Sequence, residues 1–354
     1  MKKIMFVCNT LGGGGAERVV SVLTNTLLQK DYQVYILVHK KASKEYDFDR
    51  RINVLYSSKD GSASKYKRVT AIRRAVKENQ IDSVIAFSHY NAMYAVIACI
   101  GLEVRVIGSE RNDPAQLDNR KVLKTLRLIL YKHLDCLVCQ TEDAKKYFPK
   151  EIQERSTIIL NPLTDSLPEP YTGRRERRVV SFSRFDLQKN IPMLIDAFEI
   201  FHREFCDYKL DLYGDGSEKD RIKAYVKKKD MDGCVKIHPF VNNIHERIED
   251  ASIFARASNY EGLSNSMIEA LALGIPSVVT DCPCGGARMV INNYKNGILV
   301  PVGDVNAMAK AMKNIASDSE LAKKMSEEAV NIRNKLSAKK IANEWMEIIE
   351  GGIA

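Results

Sequence analysis

Short apolar runs alternate with longer amphipathic stretches along this chain, and the alternation is played through twice. In the first half, residues 4–8, 33–38, 83–87, 104–108, 136–139 and 157–160 have the length and composition of buried strands, and a helix is expected through residues 17–30. Strands separated by helical stretches predict a doubly wound parallel sheet. Pro162, Pro168, Pro170 and Gly173 then crowd a polar segment that reads as an interdomain linker. The second half repeats the pattern, with strands expected at residues 179–183, 209–213, 235–239, 253–257 and 277–280. Beyond these the sequence is helical and charged, with Trp345 as its one aromatic anchor. The pattern predicts an α/β protein with two Rossmann-like domains, residues 1–165 and 174–335, and a final helix over residues 336–354. A length of 354 residues exceeds that at which one core usually divides, in keeping with two domains.

One stretch of the second half carries most of the chemistry: residues 259–281, NYEGLSNSMIEALALGIPSVVTD. Tyr260, Glu261 and Gly262 form a turn after a strand. Ser264 or Asn265 then caps a helix whose apolar side holds Met267, Ile268, Leu271 and Ala272. Gly274 stands where a left-handed stop is wanted, and Pro276 opens the next strand. Glu261 is thereby placed in the loop and Glu269 in the second helical turn, with free N–H groups and the positive end of the helix dipole between them. Two carboxylates around an anion-binding helix start suit a ligand with hydroxyls at both ends and phosphates in the middle, such as a nucleotide sugar. For an isolated pair of glutamates, a solvated turn and an exposed helix position would be the commoner reading. Arg256 interrupts the apolar strand before the turn, and the sequence supplies no partner for it.

Other strand ends add candidates. The loop LGGGGAER, residues 11–18, lies between a strand and a helix, where consecutive glycines let backbone N–H groups approach a phosphate. A dinucleotide fingerprint fails, because Glu17 or Arg18 falls at the third-glycine position and the second strand ends in His39, Lys40 and Lys41 without a ribose-binding acid. In SFSRFDLQKN, residues 181–190, Arg184 and Lys189 follow a strand, where two cations can neutralise a departing diphosphate. His89 in AFSHYNAMYA follows a strand either as a functional imidazole or as a structural one, with Asn91 close by. Arg111 in SERNDP either meets an acceptor phosphate or pairs with Glu110 or Asp113. Phe240 and Val241 end another strand, with ordinary core as the alternative for Phe240.

Taken as a whole, EGLSNSMIEALALGIPSVVTDCPCGGARMVI resembles the donor-site signature of retaining glycosyltransferases of family 4 with the GT-B fold. That signature has a Glu, seven residues and a second Glu, then a short helix, a Gly and a Pro-led strand. The likeness is greatest to bacterial members that build surface polysaccharides and lipid-linked oligosaccharides, and it extends over nearly the whole chain. It implies two facing Rossmann-like domains with a cleft between them, the first for the acceptor and the second for the nucleotide sugar, and a last helix that crosses back to the first domain. It also implies catalytic roles for Glu261, Arg184, Lys189 and His89, with Glu261 on a sugar hydroxyl. Donor binding falls to Gly14, Gly15, Phe240, Val241, Gly262, Leu263, Ser264, Asn265 and Glu269, the last on the ribose, and acceptor binding to Arg111. The implied donor is a UDP-sugar, the acceptor a glycan or polyprenyl-diphosphate-linked glycan, and no essential metal is expected. Relatives often have Pro where Ser264 and Ala287 stand here; Ser264 can cap the helix instead.

Charge sharpens the acceptor side. The net charge is +9, and residues 1–172 hold 27 Lys/Arg against 19 Asp/Glu while residues 173–354 hold 27 against 26. A basic first half suggests a phosphorylated acceptor, an anionic membrane surface or nucleic acid, and the resemblance favours the first two. RKVLKTLRLILYK, residues 120–132, alternates apolar residues and cations at helical spacing, and reads either as a helix lying on anionic lipid or as a core helix with a solvated basic face. No apolar run approaches the roughly 18 residues of a membrane span, and MKKIMFVCNT reads as a first strand and not as a signal peptide. A cytoplasmic protein, peripheral on the inner face of the cell membrane, is expected. The eight cysteines are scattered through apolar segments without zinc spacing, and the DFD of residues 47–49 sits in a polar stretch, so neither predicts a metal. Two other classes fit the broad pattern: a nucleotide-sugar 2-epimerase on the same architecture, and a non-enzymatic module that binds membrane or nucleic acid.

Overall fold

The computed structural model describes residues 1–12, 14–42, 48–58, 63–117 and 121–352, with the backbone alone for Leu117. Its chain divides into two units, Met1–Thr164 with Leu336–Ala354, and Asp165–Lys335. In the first unit, strands β1 (Lys2–Cys8), β2 (Tyr32–Val38), β3 (Asn53–Tyr56), β4 (Ser83–Phe87), β5 (Arg105–Ser109), β6 (Cys136–Cys139) and β7 (Ser156–Ile158) are ordered β3-β2-β1-β4-β5-β6-β7. In the second, β8 (Glu176–Phe182), β9 (Lys209–Tyr213), β10 (Val235–His238), β11 (Ala251–Arg256), β12 (Ser277–Thr280) and β13 (Ile298–Val300) are ordered β10-β9-β8-β11-β12-β13. Every pairing is parallel. The central strands are buried on both faces, which is why they read as continuous apolar runs and not as alternations. The edge strands β3 and β13 were not predicted; each is very short, and β3 is half exposed.

Helices α1 (Gly15–Leu28), α2 (Lys65–Asn79), α3 (His89–Cys99) and α4 (Lys121–Tyr131) cover the first sheet, with α3 packed against both α2 and α4. On α1 lies the last helix, Ala338–Ile349, which belongs to this unit. The carbonyl of Ile348 accepts from Arg105 Nε at 2.8 Å, that of Ile349 from Lys2 Nζ at 3.4 Å, and fully buried Trp345 stacks on Phe87 with ring centroids 5.8 Å apart. The chain leaves and re-enters at one place, where Leu163 N donates to the Leu336 carbonyl at 2.8 Å.

Strand order reverses once in each sheet, between β1 and β4 and between β8 and β11. At such a switch point the flanking loops part beyond the strands' carboxyl ends, and open α/β sheets bind their ligands there. The glycine loop follows β1 and His89 follows β4; the loop of Lys189 follows β8 and that of Glu261 follows β11. Gly13 and Asp47 lie outside the described residues, as does Arg120. Asp49, the other acid of the DFD triplet, is bound by its neighbour Arg51 at 2.8 Å. Among the described residues no helix is long and apolar enough to cross a membrane.

Candidate functional site

The reversal between β8 and β11 brings together two loops that are about seventy residues apart in sequence. The two loops are stitched directly: Asn259 N donates to the Gln188 carbonyl at 2.8 Å, Gln188 Nε2 to the Tyr260 carbonyl at 2.8 Å, and Asn190 Nδ2 to Asn259 Oδ1 at 2.9 Å. A single 3-10 turn, Leu187–Lys189, capped by the Asp186 carboxylate, ends the first loop and aims Lys189 inward. Lys189 Nζ lies 2.5 Å from Glu261 Oε1, and the pair is largely buried. The other carboxylate oxygen accepts from Ser258 Oγ at 2.8 Å and faces Arg256 Nη1 at 3.4 Å. Arg256, unexplained in sequence, is the second cation of this cluster; its Nη2 also donates to the Phe182 carbonyl at 2.7 Å and to the Ser266 hydroxyl.

Burial alone would raise the Glu261 pKa, but the charges of Lys189 and Arg256 and the hydrogen bonds from Lys189 and Ser258 outweigh it and hold the group at about 2. Burial lowers the Lys189 pKa below its ordinary value, against the pull of Glu261. The carboxylate is thus ionised at neutral pH between two cations, at the end of the strand pair where a ligand is expected. A small cavity opens beside it, lined by Arg256, Ser258, Gly262, Ser264, Thr280 and Cys282 among others. Its wall is fixed by a close approach: a Cβ on Gly286 would stand 1.8 Å from the Gly262 carbonyl oxygen, so only glycine fits there.

The helix Asn265–Ala272 begins as the sequence predicts, with Ser264 as N-cap accepting from Met267 N at 3.4 Å. Gly274 has φ +70° and ends it in the left-handed region. Glu269 in the second turn is buried and not exposed, and its Oε2 lies 3.0 Å from His245 Nε2. His245 sits on the short helix Ile244–Ile248, and nothing in the local sequence pattern singles it out. Gly262, Leu263 and Asn265 line the approach to the helix start, the first two buried.

Arg184 remains two-thirds exposed, 3.5 Å from Asp186 Oδ2. Phe240 is 48% exposed, which removes the core alternative, and with Val241 it lies in the loop that leads from β10 to His245. In the first unit Gly14 is the N-cap of α1 and Gly15 its first residue. His89 opens α3 behind Ser88, with its ring 4.1 Å from that of Tyr90. Arg111 pairs with neither acid suggested for it. Glu110 bonds the Tyr131 hydroxyl and faces Arg127 Nε at 3.6 Å, while the Asp113 carboxylate accepts from Ala115 N at 3.0 Å. Instead the Arg111 guanidinium stacks over Phe87 at 4.6 Å and Trp345 at 5.4 Å, and donates to Asn161 Oδ1 at 3.0 Å. Its Nε and Nη2 are buried without a hydrogen-bond partner among the described residues, and burial lowers its pKa to about 9.

Both halves of the chain match families of known proteins. Residues 13–167 match the family Glycosyltransferase Family 4, and residues 170–331 the family Glycosyl transferases group 1. Two Campylobacter jejuni relatives align over 99% of this chain. One is the GalNAc-alpha-(1->4)-GalNAc-alpha-(1->3)-diNAcBac-PP-undecaprenol alpha-1,4-N-acetyl-D-galactosaminyltransferase, 27% identical with 98% of its own length covered. The other is the N-acetylgalactosamine-N,N'-diacetylbacillosaminyl-diphospho-undecaprenol 4-alpha-N-acetylgalactosaminyltransferase, 28% identical with all of its length covered. The fold is shared with S. aureus TarM, solved as a mutant with fondaparinux, alpha-GlcNAc-glycerol and UDP, at TM-score 0.82 and 15% identity over 99% of this chain and 100% of that one.

Proposed function

Because the chain belongs to the GT-B glycosyltransferases, family 4 in its first half and group 1 in its second, we propose that it moves a sugar from a UDP-sugar to a glycan hydroxyl with retention at the anomeric carbon. The observation that carries this reading is the Lys189–Glu261–Arg256 cluster beside a capped helix start at the β8/β11 reversal. Glu261 accepts from a hydroxyl of the donor sugar and Glu269 from the ribose, while the amides at the start of the helix Asn265–Ala272 face the diphosphate. Lys189 and Arg184 take up the negative charge that grows on the UDP oxygen as the glycosidic bond breaks. The departing diphosphate stays on the face from which the acceptor hydroxyl enters and receives its proton, so that positioning and charge stabilisation are the protein's main contributions. Phe240 and Val241 are assigned to the base. Gly14, Gly15 and His89, at the first unit's own strand reversal, are its proposed contribution to substrate binding.

The acceptor we favour is a glycan on a polyprenyl diphosphate, handled at the cytoplasmic side of the membrane. The diphosphate-linked acceptors named for the Campylobacter relatives support this, as do the two unpartnered N–H-bearing nitrogens of Arg111. Calorimetric titration with UDP and a panel of UDP-sugars tests the donor. Lys189→Ala or Glu269→Ala is expected to weaken UDP-sugar binding by about tenfold or more and to abolish transfer with the far-ultraviolet dichroism unchanged. Wild-type turnover in either variant would refute the assignment, and an inverted product anomer by NMR would refute the stereochemistry.

A further inference from the structure

The lining of the cavity beside Glu261 is of two kinds. Arg256, Ser258 and Thr280 are polar, whereas Met267, Val279, Cys282 and Ala287 are apolar. The enclosed room is that of about one methyl group or water molecule. Met267 lies on the capped helix Asn265–Ala272 and Val279 on β12, both buried. Cys282 and Ala287 belong to the loop after β12, which doubles back through two left-handed residues, Cys284 at φ +75° and Gly285 at φ +68°. Gly285 N donates to the Cys282 carbonyl at 3.1 Å, and Glu261 N to the Pro283 carbonyl at 3.4 Å, so the loop is tied to the Glu261 turn. Burial and the nearby Glu261 charge push the Cys282 thiol up to about 12, and it stays neutral as a small hydrophobe. Ala287, one of the positions at which the sequence departs from the family signature, contributes a methyl group and no more.

The two hydroxyls of the polar lining are already spent as donors. Ser258 Oγ donates to Glu261 Oε2 at 2.8 Å, and Thr280 Oγ1 to the Ser258 carbonyl at 2.6 Å. Arg256 differs: it is 5% exposed, and its Nε is buried without a hydrogen-bond partner among the described residues. An unused guanidinium N–H in a buried place calls for an acceptor on the ligand. That acceptor is not a carboxylate, because ionised Glu261 beside it would repel a second negative charge. A hydroxyl would serve the N–H and leave the apolar room empty. A methyl alone would fill the room and leave the N–H unserved. A carbonyl oxygen joined to a methyl answers both, and among the ring substituents of sugars the acetamido group carries that pair.

We propose that this cavity is a specificity pocket for a 2-acetamido-2-deoxy sugar, whose acetyl methyl rests against Met267, Val279, Cys282 and Ala287 while its carbonyl accepts from Arg256. The inference rests on the reading of Glu261 as the residue that holds a hydroxyl of the donor sugar, and places the acetamido group on the ring carbon next to that hydroxyl. Its test is calorimetric titration of the full chain with UDP, UDP-glucose, UDP-galactose and the 2-acetamido counterparts of the two sugars. At least one acetamido donor is expected to bind about tenfold or more tighter than its 2-hydroxyl counterpart. Ala287→Val, which fills the room, should bring that ratio to about one and leave the affinities for UDP and the 2-hydroxyl donor within about twofold of the wild type. UDP binding by the variant shows that it is folded; should that binding be lost, the wild-type ratio decides alone. Equal wild-type affinities for acetamido and hydroxyl donors overturn the proposal. So does an acetamido preference that survives Ala287→Val with UDP binding intact, because the group would then lie elsewhere. In both cases UDP still binds and the donor site stands. A wild type that does not bind UDP would instead remove the donor site, and this pocket with it.

Discussion

Glu261 is held by more partners than a single ion pair needs, and the excess has a measurable consequence. Its ordinary pKa of 4.5 falls to about 2 in the folded chain. A depressed carboxylate pKa contributes stability that is complete above the unfolded value and disappears as pH falls through the folded one. The wild type should therefore lose stability between about pH 4.5 and 2, by at most about 3 kcal/mol from this group, and Lys189 adds no slope there because it is protonated in both states. Urea unfolding of Glu261→Gln across that window is expected to show a shallower acid slope and lower stability at neutral pH, since Lys189 and Arg256 are left buried side by side. At the other end of the site, His245 holds the Glu269 carboxylate. His245→Ala should raise the donor KM about fivefold with kcat little changed, and His245→Asn should recover part of it; an equal loss in kcat would assign the histidine a different task. Glu261 and Glu269 were legible because their spacing around a helix cap is local. His245 was not, because its partner lies 24 residues away across a strand, and Arg256 showed only as a charge out of place.

Among the elements, those set by short-range rules were the most readable. The strands β9 and β12 fall at the residues the apolar runs predict, and the cap at Ser264 and the stop at Gly274 both follow from residue type. Buried parallel strands leave a composition signal on both faces; the edge strand β3 does not, since none of its four residues is buried. Gly274 offers a direct check on the turn. With φ +70°, and Ser326 Oγ only 3.0 Å from where a Cβ would sit, Gly274→Ala should destabilise the second unit by about 1–3 kcal/mol in thermal unfolding. Ser264→Ala, which removes the cap and the hydroxyl contact with Ser266 at 3.1 Å, should cost about 1 kcal/mol. Amphipathicity gave the existence of α4 but not its orientation. Its inward side holds Arg127, 3.6 Å from buried Glu110 and over the Phe148 ring at 5.1 Å, while Val122, Leu126 and Ile129 are exposed.

For the molecule as a whole, the doubled β-α pattern announced two sheets, and the Pro-rich segment announced the break between them, found at Thr164 and Asp165. What no local pattern reveals is that the first unit is discontinuous in sequence. Its closing helix reaches Phe87 through Trp345, the only tryptophan of the chain. Tryptophan emission therefore reports on the first unit alone, while far-ultraviolet dichroism reports on both. The two probes should give separate urea transitions if the units unfold independently, with the UDP-dependent shift confined to the dichroism; coincident curves in the presence and absence of UDP would mean the units unfold together. The same arrangement governs synthesis on the ribosome. Residues 165–335 can emerge and mature as a finished body while their predecessor still lacks its closing helix, so the portion translated first is the one completed last. During that interval the side of α1 that the stretch around Trp345 will cover stays open to a nascent-chain chaperone.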